Sequence, residues 1–131
     1  MSDQRRMASL LATSLALGAL VLAAAPVTAG GVGAVEREGN CTSAADWRLE
    51  VEREDGGLQV DLRIRQDDQA GRVYDIRIRQ NGHKFFDANR TTNADGEIRL
   101  RRHRPNKAGS DTFSFKALGP GTIVCRGSVT I

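Results

Sequence analysis

Histidine is scarce in this chain: His83 and His103 are the only two. With so few bases and no Gly-x-Ser-x-Gly turn, the sequence shows no serine-hydrolase triad. Both histidines read as surface residues. His83 sits beside a tight turn, and His103 alternates outward with Arg99 and Arg101. Cysteine is equally scarce. Cys41 and Cys125 stand alone, outside any CxxC spacing, which argues against zinc and dithiol-redox motifs. No clustered His, Cys and carboxylate ligands suggest a metal. Asn93-Ala94-Asp95-Gly96 has the look of part of a calcium loop, but Thr91 and Arg102 would fill its first and twelfth ligand positions. A glycine-rich phosphate loop is missing too, so the sequence implies no cofactor. Lysine is limited to Lys84, Lys107 and Lys116. The net charge is +3, and it falls to +2 if Asp3, Arg5 and Arg6 are removed. That mild bias is not the basicity of a nucleic-acid binder.

What the chain does have begins with an export signal. Arg5 and Arg6 form a positive head. Ala8 to Ala25 is almost wholly Ala, Leu, Val and Gly, and Val27-Thr28-Ala29 places small residues at an exit. Charged head, apolar middle and small-residue exit make up a signal peptide, so residues 1–29 are expected to be cleaved away after Ala29. An uncleaved anchor is the competing reading, since roughly 18 apolar residues just span a bilayer. The Ala-rich composition and the exit favour cleavage. Met7-Ala8-Ser9-Leu10 fits a twin-arginine signal poorly, so the general export route is preferred. No further membrane anchor is expected.

The remainder, about 100 residues, suits one domain with one core. Residues 30–40 are Gly-rich and charged and read as a flexible lead. Residues 41–131 read as the domain. In an oxidising compartment Cys41 and Cys125 are expected to pair. Closing so long a loop contributes about 4.5 kcal/mol in the chain-entropy model.

From Trp47 onward the pattern has period two. Trp47, Leu49 and Val51 alternate with charged residues. So do Leu58, Val60, Leu62 and Ile64, then Tyr74, Ile76 and Ile78, then Ile98 and Leu100. Phe113 and Phe115 follow, and Ile123, Cys125, Val129 and Ile131 close the chain. Lys84 to Thr92 adds a less regular strand through Phe85 and Phe86. Asp55-Gly56-Gly57, Asn81-Gly82 and Asp95-Gly96 are turn formers. About seven half-apolar strands bury their faces most simply as two packed antiparallel sheets, an immunoglobulin-like sandwich.

One connection has two solutions. A direct hairpin through Gln66 to Arg72 would set Ile64 beside Tyr74, Leu62 beside Ile76 and Val60 beside Ile78. Arg63 would then face Asp75, and Asp61 would face Arg77. An immunoglobulin-type topology sends the same two strands to opposite sheets. The sequence is consistent with both.

Three segments carry a family likeness. Cys41-Thr42-Ser43 with Trp47-Arg48-Leu49, the run Ile76 to Gly82, and Ala108-Gly109-Ser110-Asp111-Thr112 before Cys125 resemble small secreted proteins of actinobacteria. The resemblance spans nearly all of residues 41–131. It implies an immunoglobulin- or fibronectin-like sandwich and brings no active site. The Ala108–Thr112 segment is similar to the corner that leads into a strand in many extracellular sandwiches. Phe113 stands where such a corner often has Tyr, and it lacks the hydroxyl.

Arginine is the remaining signal. Arg63, Arg65, Arg77, Arg79, Arg99 and Arg101 fall on outward positions and suit acidic neighbours across strands. Arg101-Arg102-His103-Arg104 is a basic cluster at a strand end. Arg101, Arg102 and Arg104 are candidate binders of a sulfated or phosphorylated polymer. The expectation is therefore a secreted, non-enzymatic binding module. Its partner would be an unidentified extracellular or cell-envelope component, and that arginine cluster is one candidate site. A small hydrolase or inhibitor with a scattered site is the rival.

Overall fold

The computed structural model describes residues 33–131. The expected signal peptide, its cleavage after Ala29 and residues 30–32 lie outside the described residues. Eight strands follow one another: β1 (Ala34–Asn40), β2 (Asp46–Glu54), β3 (Gly57–Arg65), β4 (Val73–Gln80), β5 (His83–Thr91), β6 (Glu97–Pro105), β7 (Thr112–Leu118) and β8 (Val124–Thr130). They form two antiparallel sheets, in the orders β1-β2-β3-β6 and β5-β4-β7-β8. Among the described residues no helix is long and apolar enough to cross a membrane.

Alternation determines which face is buried. Leu49, Val51, Leu58, Val60, Leu62 and Ile64 line the inner face of the first sheet. Tyr74, Ile76, Ile78, Phe113, Phe115 and Ala117 line that of the second, and all twelve are buried. The β2–β3 and β4–β5 links are two-residue turns. Asp55 and Gly56 have φ of 50° and 75°, and Asn81 and Gly82 have φ of 51° and 82°. Positive φ at both central residues matches the twist of the flanking strands.

One expectation is corrected, and one open alternative is decided. Residues 34–40 are not a flexible lead: they pair along β2 from Ala34↔Glu52 to Asn40↔Asp46. This edge strand was hidden because Val35 is its one large apolar residue, so it lacks a period-two signature. Of the two solutions for the β3–β4 connection, the direct hairpin does not form. β3 pairs with β2 and β6, and β4 with β5 and β7, so the Gln66–Arg72 link crosses between sheets. The apolar rows that could have lain side by side now belong to opposite walls of the core. Asp61 and Arg77 are consequently on opposite outer faces. Asp61 pairs with Arg99 and Arg101, and Arg77 with Asp75 and Asp87.

The side of the sandwich between β1 and β8 is sealed by one ring and one covalent bond. Trp47 reaches from the first sheet to meet Phe115 edge-on at 5.1 Å. Glycines flank it where any side chain would collide. A Cβ at Gly127 would run into Cη2 of Trp47, and one at Gly39 would lie 2.9 Å from Cζ2. Beside the ring, the Cys41–Cys125 disulfide joins the β1–β2 loop to β8 across 84 residues of chain.

Gly127→Ala is expected to destabilise the domain by about 1–3 kcal/mol through overpacking. Adding Trp47→Phe should recover part of the loss, because the smaller ring vacates the slot. Urea unfolding of the two variants measures both effects. An unchanged midpoint for Gly127→Ala would show that the ring is not seated against β8. Cys41→Ala with Cys125→Ala should cost about 2–5 kcal/mol in the same assay.

Candidate functional site

On the opposite side, between the edges of β5 and β6, the seam is closed by arginines stacked on phenylalanines. In β6 the inner-facing phase runs Ile98, Leu100, Arg102, Arg104, opposite Ile64, Leu62, Val60 and Leu58 of β3. The last two inward positions thus carry guanidinium groups where the pattern calls for apolar side chains. β5 ends the same way: Phe86, Ala88 and Arg90 face Ile78, Ile76 and Tyr74. A register shift between Ile78 and Arg79 inserts one extra residue in β5. Phe85 and Phe86 therefore both turn toward the seam, and Phe85 meets Phe113 edge-on at 6.1 Å.

The cations sit over these rings. Cζ of Arg104 is 4.4 Å from the Phe85 centroid. Phe86 carries Arg102 at 4.9 Å and Arg90 at 5.1 Å. A ring occupies the face of a guanidinium and leaves its N–H edge available. Among the described residues none of these three edges meets a carboxylate. Arg90 Nη1 donates to the Asn89 carbonyl, Arg102 Nη1 to the Arg101 carbonyl, and Arg104 Nε to Gln80 Oε1. Donors remain on all three, held in place by the stack and turned to a half-exposed surface.

The cluster expected from sequence is therefore divided. Arg102 and Arg104 come together at the seam, and Arg90, which sequence reasoning missed, joins them. Arg101 is on the outer face of the first sheet, where its guanidinium donates to Asp61 Oδ2 at 3.0 Å. On that face Glu36, Glu50, Asp61 and Arg101 form one cross-strand row, and Glu38, Arg48, Arg63 and Arg99 form the next. Arg48 bonds Glu36 and Glu50. The bond from Arg48 holds the Glu36 carboxyl below the usual range. Burial, helped by the proximity of Glu36, pushes Glu50 up. Arg63 has no ion-pair partner among the described residues, and its Nε is buried without a hydrogen bond.

Arg104 is positioned from behind by a buried carboxylate. Asp111 is fully buried. Its Oδ1 accepts from Gln80 Nε2 at 3.0 Å and Asn81 Nδ2 at 2.9 Å, and its Oδ2 accepts from the Lys107 amide at 3.0 Å. Gln80 Nε2 also donates to the Pro105 carbonyl at 2.8 Å, and Gln80 Oε1 receives Arg104. One carboxylate thus organises the β6–β7 loop and, through Gln80, orients a seam arginine. Burial alone would raise the Asp111 pKa. The bonds from Gln80, Asn81 and Lys107 outweigh it and hold the carboxyl below its ordinary value. The Ala108–Thr112 corner is built around this group.

His83 opens β5 in the second sheet, and His103 lies on the outer face of the first, over Gly57. Neither side chain hydrogen-bonds to a carboxylate or hydroxyl among the described residues. A depression of about 610 Å³ is open to solvent. It lies between the β1–β2 loop and the β3–β4 link, beside the Arg65–Asp67 pair at 2.7 Å. Among the described residues no three His, Cys, Asp or Glu side chains converge as metal ligands. No protein-family model, curated protein or solved structure matches this chain.

Asp111→Ala is expected to destabilise by about 1–3 kcal/mol, because three donors lose their acceptor inside the fold. The pH dependence has a defined sign. With a folded pKa below the unfolded one, the contribution of Asp111 is complete above about pH 4 and is lost as pH falls through the folded value. Urea midpoints at pH 7 and pH 3 should differ less in Asp111→Asn than in the parent. An equal difference would show that Asp111 is not the group titrating.

Proposed function

We propose that the protein is an exported, non-enzymatic binding module that captures polyanions along the β5–β6 seam. The observation that carries this reading is the set Arg90, Arg102 and Arg104: each is stacked on Phe85 or Phe86, and among the described residues none is neutralised by a carboxylate. Stacked guanidiniums lose little freedom on binding, and their planar forks suit sulfate and phosphate oxygens. The disulfide fits an oxidising compartment, as the N-terminal signal segment requires. A component of the extracellular surface or cell envelope is the partner this address favours.

The strand connections support an immunoglobulin-like lineage. With β2 as strand A, β3 as B, β4 as C, β5 as C′, β6 as E, β7 as F and β8 as G, one sheet reads A-B-E and the other C′-C-F-G. Those are the pairings of immunoglobulin-type sandwiches. β1 is an addition outside A. The disulfide departs from the B–F bridge of antibody domains, since it ties the A side to G. The resemblance of the Cys41–Leu49 and Ala108–Thr112 segments to small secreted actinobacterial proteins supports the same reading.

The test is retention of the exported protein on a sulfated matrix. Elution should move strongly with salt, because exposed charges are screened over about 10 Å at 0.1 M. Arg102→Gln with Arg104→Gln should remove most of the retention, while Arg101→Gln should remove little, since Arg101 is already paired. Arg102→Lys with Arg104→Lys should retain the protein weakly, having charge without the planar fork. Retention of the parent no better than a neutral protein's would end this reading.

A further inference from the structure

The seam leaves a second group of cations unused. The outer face of the second sheet divides into two halves. In the β4–β5 half every carboxylate is occupied: Arg77 pairs with Asp75 and Asp87, and Lys84 pairs with Asp87 at 2.7 Å. The β7–β8 half has no carboxylate. Lys116 of β7 stands directly opposite Arg126 of β8. In the next row Arg79 of β4 faces Ser114, which faces Ser128. The three cations are exposed and form no ion pair among the described residues. The two serine hydroxyls make no hydrogen bond there either, whereas Thr112 and Thr130, one row on, bond each other at 2.9 Å.

Like charges directly opposite on neighbouring strands disfavour the folded state. An anionic group lying between Lys116 and Arg126 would reverse that sign. The face is a flat grid, about 4.8 Å between strands and about 6.8 Å between rows on one side of a strand. A row of cations beside a row of unengaged hydroxyls complements a polymer that carries anionic groups and hydroxyls together. A pyranose ring extends close to one strand spacing, so adjacent strands would meet adjacent sugars.

We infer that the β7–β8 half of this face is a docking surface for an anionic polysaccharide. Lys116, Arg126 and Arg79 hold its charged groups, and Ser114 and Ser128 bond its hydroxyls. The inference rests on the proposed polyanion-binding function and names the class of polymer. A chain long enough to lie on this face and reach around β5 to the seam would be held at two places, and linked sites bind more tightly than either alone.

The experiment compares two probes on the exported, disulfide-bonded protein: chondroitin sulfate, which carries sulfate, carboxylate and free hydroxyls, and inorganic polyphosphate, which carries charge alone. Lys116→Glu with Arg126→Glu should weaken chondroitin sulfate binding by on the order of tenfold at low salt. The melting midpoint should hold, because both side chains are exposed. Ser114→Ala with Ser128→Ala should weaken chondroitin sulfate and leave polyphosphate unchanged. If the charge-reversed variant binds chondroitin sulfate like the parent while the Arg102/Arg104 variant does not, this surface is overturned and the seam stands. If the serine variant loses both probes equally, or neither, the assignment to a polysaccharide is overturned. Binding of neither probe by the parent removes the surface and the proposed function together.

Discussion

A sandwich of two open sheets has to be closed along both sides, and that constraint shapes this molecule. Backbone hydrogen bonds end at the edge strands β1, β8, β5 and β6. Along each side, water would otherwise reach Phe115 or Phe113, so side chains must complete the core there. The two sides use opposite chemistry. At β1 and β8, Trp47 fills the space left by Gly39 and Gly127, and a covalent bond locks the contact. At β5 and β6, long arginines lay their stems and planes over Phe85 and Phe86 and keep their charged ends wet. One side is sealed permanently. The other is sealed by groups that also have something to offer a ligand.

The charges follow from the same division. The inner phase of each strand is committed to the core, so charge is carried on the outer faces and on the last inward positions of edge strands. The first sheet has carboxylates enough to pair most of its arginines across β1, β2, β3 and β6. The second sheet has two outward carboxylates, Asp75 and Asp87, and both engage Arg77. Positive potential therefore collects on the second sheet and along the seam, although the net charge is small. Charge on edge strands also discourages pairing with another chain, and β5 adds a register shift at its edge.

The strands were legible from Trp47 onward because each carries apolar residues on one phase, and the two-residue turns because positive φ selects Asp-Gly and Asn-Gly. β1 was not legible, since an edge strand with charge on both faces has no period. The cross-sheet link was not legible either. Alternation tells which residues face the core, but a row of Leu and Ile is equally suited beside its partner or across from it. The seam lay half in view. Continuing the phase of Ile98 and Leu100 leads to Arg102 and Arg104 and separates them from Arg101. Reading the four basic residues as one patch ignored that period. Arg90 joins the others only through the extra residue in β5, and nothing in the local sequence announces it.

Under the proposed function, the stacked seam would tie binding to stability. Arg102 and Arg104 complete the core, so a change that weakens a ligand contact also uncovers Phe86 or Phe85. In the other direction, a polyanion that bridges Arg90 on β5 with Arg102 and Arg104 on β6 would join two edges that share no backbone pairing. Any such ligand stabilises the folded state in proportion to the logarithm of its concentration over its dissociation constant. The disulfide side gains nothing from it. The gain falls on the side closed by non-covalent stacking alone, whose ring contacts are each worth about 0.5–2 kcal/mol. Asp111 gives this side its fixed geometry. Through Gln80 the buried carboxylate holds the one seam arginine that, among the described residues, is hydrogen-bonded to another side chain. The fork of Arg104 is thereby oriented before any ligand arrives, and part of the ordering cost of binding is met during folding.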